Sequence, residues 1–402
     1  RRRNVFGIRW RSRVSKLQLS GLTAIFPGRL NCASQMSQEG EWAEFLPTTW
    51  NMTIRNISPL IYANIIVWRL VIERLSRYIS TKRLQGKKII PFPFTRRKSG
   101  WLAIIPQGGE VTLVHVVREP NSRPEVRLLD SFALENGIHE ALQRLRVTRQ
   151  LKSYVCTTLM GEGEYTVSQL EAPPVPAEER KEALRWVLKE IVSYQVDSAC
   201  IDVLDIPRAG LPPGRAASVL VVSAAEQAVR ARVRAFEEAR IPLEALDIPE
   251  LAQRNVAALL EDENRGLAFL RIDETGMMLT LTFQGELVAV RRGEINSGQL
   301  NGRDADQRAL VQERLVLELQ RSLDNFDRQY SQIPISKVIL ASHPQVGNLV
   351  SELGENIYVP LKEMDLSSVL DFPAMPELND LQYQARHLLA IGAALRTGEG
   401  SA

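Results

Sequence analysis

Two short glycine-bearing turns are the residues of this chain best suited to chemistry: Pro106-Gln107-Gly108-Gly109 and Asp273-Glu274-Thr275-Gly276. Turns of this kind aim backbone N–H groups at an anion such as a phosphate, and glycine lets the backbone come close. Each turn joins two apolar runs, residues 101–105 and 111–117 around the first and 267–272 and 277–283 around the second, so both read as hairpins. The same hairpin opening each half of the chain suggests two related lobes facing one another across a cleft, with both turns directed inward. Whether those turns hold a phosphate decides the function.

Other reactive side chains form no constellation. His115, His139, His343 and His387 are scattered singly. Cys32, Cys156 and Cys200 are odd in number and far apart, which argues against a disulfide frame or a zinc site and fits a reducing cytoplasm. Asp197, Asp202 and Asp205 alternate with apolar residues as the wet edge of a strand does, Arg291-Arg292 reads as a solvated strand end, and His343 as a loop histidine.

Composition is that of a soluble globular protein, with 45% apolar and 24% charged residues in 402, enough for two or three cores. The net charge of +3 hides an asymmetry: residues 1–100 carry 19 Lys and Arg against four acids, leaving 31 bases and 43 acids for the rest. Four of the six tryptophans also lie in that block. Residues 57–72 are apolar but interrupted by Arg69 and followed by Glu73, Arg74 and Arg77, too short and too charged to span a bilayer. A phosphate-binding arm using the clustered arginines is the least supported reading, and nucleic acid is not an expected partner. With no consistent period, 1–95 is expected to be a basic extension that is disordered or foreign to the native protein. No signal-peptide layout is present either.

The ordered protein is expected from residue 96. Strands 101–105, 111–117 and 127–132, a helix near 138–145 and a strand at 152–159 form a first lobe, 96–172. Pro173-Pro174-Val175-Pro176 marks a joint. An inserted α/β subdomain, 173–245, follows. Its first helix should bury Leu184, Val187, Leu188 and Ile191; strands at 196–204 and 218–222 and a helix at 224–240 complete it. The second lobe, 246–402, repeats the scheme: a helix at 249–260, three strands from 267 to 291, a long helix at 308–330 with Leu315, Leu319, Leu323, Phe326 and Tyr330 on one stripe, a strand at 337–341, a short helix at 345–353 and a final helix at 381–395. In that last helix Gly392 allows close packing.

The ordered part, roughly 99–397, resembles the PilM family of actin-like proteins, and within it the MSHA pilus branch. The resemblance is carried by segments 178–191 with 218–241, by 268–295 closing on Arg292-Gly293-Glu294-Ile295, by 311–330, and by the terminal Leu389-Ala390-Ile391-Gly392-Ala393-Ala394-Leu395-Arg396. It implies an α/β fold of duplicated actin-like (ribonuclease-H-like) lobes with an inserted subdomain, and ATP with Mg2+ between the lobes. On that scheme Gly108, Gly109, Asp273, Thr275 and Gly276 are the candidate phosphate contacts, and Asp273 the candidate ligand, through water, of the metal. The sequence departs from the scheme: the first turn lacks its acid, Thr275 stands where the family has glycine, and Ser342-His343-Pro344-Gln345 replaces a glycine-rich adenosine loop.

The expected function is therefore a non-catalytic scaffold of type IV pilus biogenesis, peripheral on the cytoplasmic face of the inner membrane. It would hold the cytoplasmic tail of a bitopic PilN-like or MSHA membrane protein in a groove involving 152–240, alongside other pilus assembly proteins. The alternative is an ATP-binding protein or weak ATPase of pilus or type II secretion assembly. The related cytoplasmic domain of type II secretion is followed by a spanning helix, whereas here the chain ends at Ala402, so the pilus reading is preferred.

Overall fold

The computed structural model describes residues 97–135, 137–207 and 217–397, so the readings placed on 1–95, Cys32 included, lie outside the described residues. Strands β1 (Trp101–Gln107), β2 (Glu110–Val117) and β3 (Glu125–Ala133) form an antiparallel meander, and after helix α1 (Ile138–Thr148) the chain returns as β4 (Val155–Leu159), parallel to β1. It then leaves this sheet for a small antiparallel one. β5 (Tyr165–Glu171), helix α2 (Arg180–Leu188), β6 (Cys200–Asp205) and β7 (Ser218–Ala224) build it in the order β5-β7-β6. β7 is central and buried along its length, which explains its unbroken apolar run. Helix α3 (Glu226–Glu238) leads back to β8 (Leu243–Asp247), which pairs parallel with β4 and completes a five-stranded sheet, β3-β2-β1-β4-β8.

Helix α4 (Pro249–Leu260) carries the chain across to the second lobe. There β9 (Gly266–Ile272), β10 (Met277–Phe283) and β11 (Glu286–Gly293) repeat the meander. The four-residue α5 (Ser297–Leu300), closed by a capping box on Asn296, and the long α6 (Ala305–Gln329) follow. β12 (Ile335–Ser342), α7 (Leu349–Gly354), β13 (Leu361–Glu363) and α8 (Leu381–Ala394) finish the chain. The order β11-β10-β9-β12-β13, with β12 parallel to β9 and β13 parallel to β12, matches the first sheet strand for strand. The segments at 101 and 267 thus occupy equivalent first-strand places.

The two sheets share a core. Ala103, Val114 and Val116 of the first and Phe269 and Ile339 of the second pack with Val256 of α4 and with Leu388 and Ile391 of α8, so the two helices are the filling between the lobes. The α6 stripe is buried at all five expected positions, because a 25-residue helix with a single apolar face has one way to lie on a sheet.

Three strands differ from the sequence expectation. β8 and β13 are poor in β-branched residues or very short, and pairing with β4 and β12 is what makes them strands; β5 carries Tyr165, Thr166 and Val167 and pairs with β7. Their partners also differ from the division at 173 and 246: β5 belongs to the small sheet, and β8 to the first lobe. In α2 only Leu184 and Leu188 are buried; Val187 and Ile191 stay 47% and 46% exposed beside Trp186, because one turn of a short helix is all that reaches the β6–β7 face.

Candidate ligand cleft between the lobes

In the first turn Gly108 and Gly109 take φ of 59° and 80° between the paired Gln107 and Glu110, a two-residue loop that needs two left-handed residues. Nothing lies within 4 Å of where a Cβ would sit on either glycine, so the turn is open. Its flank is already engaged: Arg386 Nη2 of α8 donates to Glu110 Oε2 at 2.8 Å.

The second turn is closed on itself. Asp273 Oδ1 accepts from the Thr275 amide (2.8 Å), the Thr275 hydroxyl (2.6 Å) and the Gly276 amide (3.2 Å). Its Oδ2 pairs with Arg271 Nη1. Gly276 packs against β11: a Cβ there would stand 2.6 Å from the Gly293 carbonyl oxygen. A hydrated magnesium on Asp273 would have to displace Arg271, and a phosphate would have to take the Thr275 and Gly276 amides from Asp273. These residues do not fit magnesium–ATP without that rearrangement. Among the described residues no group of three His, Cys, Asp or Glu side chains is placed to hold a metal ion.

Around this turn lie charged residues that sequence reasoning did not bring together. Arg292, at the end of β11, reaches across to the first turn of α4, where its Nε and Nη2 donate to Glu250 Oε1 at 2.9 and 2.8 Å. Tyr165 Oη, at the start of β5, donates to Glu250 Oε2 at 2.6 Å and accepts from Arg292 Nη2. Glu162 adds a looser contact to Arg292 Nη1 at 3.4 Å. Glu250 is only 1% exposed. Burial, reinforced by the Glu250 charge, holds the Tyr165 phenol protonated well above its usual range. Burial and then the positive charge of Arg292 pull Arg271 down to about 10. An acid at the second position of a helix is an ordinary sequence feature. Nothing in the sequence singled out Glu250.

Beside the second turn His343 donates its backbone N–H to Ile272 O at 3.0 Å, while its Nδ1 is buried without a hydrogen-bond partner. Burial, then the Arg386 charge, lowers its pKa; burial, Arg386 and His343 bring buried His387 down to about 4.

A second feature lies at the joint of the first lobe and the small sheet. Met160, Leu246 and Ile248 face Tyr165, Cys200 and Val222 around an apolar cavity of about 20 Å³.

Two lobes with the same strand order, joined through a helix pair and carrying an insertion after the fourth strand of the first, give this chain an actin-like fold. The chain superposes on the PilM–PilN type IV pilus biogenesis complex with a TM-score of 0.60 and 20% identity, over 74% of this chain and 98% of that one. At lower similarity it matches the cytoplasmic domain of EpsL, an inner membrane component of the type II secretion system of Vibrio cholerae (TM-score 0.38, 13% identity, 72% of this chain and 94% of that one). It also matches a Bacteroides thetaiotaomicron protein with an actin-like ATPase fold and unknown function (0.41, 10%, 73% and 97%). No protein-family profile and no curated protein matches the sequence.

Proposed function

We propose that this chain is a non-catalytic scaffold of type IV pilus assembly, similar to the MSHA biogenesis protein MshI, that docks the cytoplasmic tail of a bitopic PilN-like inner-membrane protein. The observation that carries the reading is the joint between the first lobe and the insert, where Met160, Leu246 and Ile248 face Tyr165, Cys200 and Val222 around a cavity of about 20 Å³ that would have to widen to admit an apolar side chain of an extended peptide. The self-satisfied Asp273 turn supports a role without phosphoryl transfer, which needs a free metal ligand and open amides. No described helix is long and apolar enough to cross a membrane. On this reading attachment to the inner membrane, from the cytoplasmic side, comes from the partner. Residues 1–95 are taken as an extension outside the working unit.

The second reading, an ATP-binding protein or weak ATPase of pilus or type II secretion assembly, rests on the open Gly108-Gly109 turn. Pull-down with a synthetic PilN cytoplasmic-tail peptide tests the first reading: capture by the wild type, lost in Val222→Asp, is expected. Thermal melting with magnesium–ATP decides between the two. An unchanged midpoint fits the scaffold, and a large rise abolished by Asp273→Ala would overturn it.

A further inference from the structure

Tyr165 belongs to two places at once. Its side chain lines the apolar cavity between the first lobe and the insert, and its hydroxyl is bonded to Glu250 and Arg292. Arg292 is thereby the junction of three parts of the fold: its own strand in the second lobe, the inter-lobe helix α4 through Glu250, and the insert through Tyr165. Glu250 is stripped of water, so its carboxylate depends on these two partners and on its place at a helix N-terminus. A cavity of about 20 Å³ is too small for a large side chain unless a wall moves. Among its aromatic and aliphatic walls the Tyr165 side chain is the one that also carries a polar tether; Asp202, the charged wall, is paired with Lys181 inside the insert.

We propose that Arg292, Glu250 and Tyr165 form a clasp that holds the second lobe against the first lobe and the insert without nucleotide, and that an apolar peptide side chain entering the cavity opens this clasp by shifting Tyr165. Occupation of the groove is then reported in the inter-lobe cleft, because the same tyrosine cannot both yield the cavity and keep its hydrogen bonds to Glu250 and Arg292. Opening frees the Arg292 guanidinium, while Arg271 stays paired with Asp273. The proposal rests on the groove reading given above.

Hydrogen exchange on the full chain tests it, with the synthetic PilN tail peptide as probe and Tyr165→Phe and Glu250→Gln as variants. Bound peptide should raise amide exchange at residues 290–293 of the wild type at least threefold. Tyr165→Phe, which keeps the ring and removes the tether, should show raised exchange there without peptide and bind the peptide three- to tenfold more tightly, since binding no longer works against the clasp. Peptide that binds with no change at 290–293, together with wild-type affinity in Tyr165→Phe, overturns the coupling. A chain that binds no peptide overturns the groove reading and the coupling with it, while raised exchange at 290–293 in peptide-free Glu250→Gln still supports the clasp. Wild-type exchange in both peptide-free variants overturns the clasp itself.

Discussion

Ala252 and Gly392 meet backbone to backbone where α4 and α8 cross between the lobes: a Cβ on residue 392 would stand 2.1 Å from the Ala252 carbonyl oxygen. The contact is pinned by Asn255 Nδ2, which donates to Gly392 O at 2.9 Å. Both helices lie in the apolar layer that joins the two sheets, so their separation sets the distance between the lobes.

Gly392→Ala should therefore force the helices apart and cost about 3 kcal/mol, at the upper end for overpacking because backbone rather than a side chain must yield. Gly354→Ala, where nothing lies within 4 Å of the new Cβ, should be close to neutral. Chemical denaturation midpoints of the two variants make the comparison.

Asp273→Ala removes three accepted hydrogen bonds and leaves Arg271 buried beside Arg292 without its counter-charge. A loss of about 3 kcal/mol is expected with no nucleotide present, since one half of a largely buried pair is stranded. Asp273→Asn retains an acceptor for the turn and should lose less. Equal midpoints for wild type and Asp273→Ala would remove the structural role given to this carboxylate.

Acid should destabilise the protein through His387. Its folded-state pKa of about 4 lies below the ordinary histidine value of 6.5. Between those limits the unfolded chain takes up a proton that the folded chain refuses. Stability is thus fully present above pH 6.5 and falls as pH drops toward 4, by roughly 2 kcal/mol at pH 5 for one such group. His343 and His115, also lowered by burial, act in the same direction. Thermal midpoints of wild type and His387→Leu across pH 5 to 7 should show the slope reduced in the variant.

Thiol chemistry should separate the two described cysteines. Cys156 is fully buried in β4, and burial pushes its thiol up to about 12. Cys200 is partly accessible at the cavity between first lobe and insert. Iodoacetamide on the folded chain at pH 8 should modify Cys200 and spare Cys156, and modified Cys200 should bind the tail peptide more weakly. Mass spectrometry of the digested protein reads the first outcome.

Much of the secondary structure was legible because the apolar runs are long and periodic. α4 and β10 fall on the expected residues, and the stripe from Leu315 to Tyr330 is buried throughout. The failures have one physical cause, that short segments take their structure from neighbours. β8, Leu-Glu-Ala-Leu-Asp, has no strand composition, yet pairing with β4 makes it one. Val187 and Ile191 follow helical spacing and still face outward, because spacing cannot say how far a partner surface extends. In the cleft, the sequence marked both turns and the departures within them, but gave no sign of Arg292 meeting Glu250, which lies 42 residues away.

The sequence by itself determined the duplication, the helices and strands that carry it, and the turns at Gly108-Gly109 and Asp273–Gly276, because these depend on patterns only a few residues long. Tertiary structure decided what those turns face. Asp273 is neutralised by Arg271, Glu250 is held by Arg292 and Tyr165, and Gly392 lies against Ala252, since burial and charge pairing depend on which distant segments the fold brings within a few ångströms.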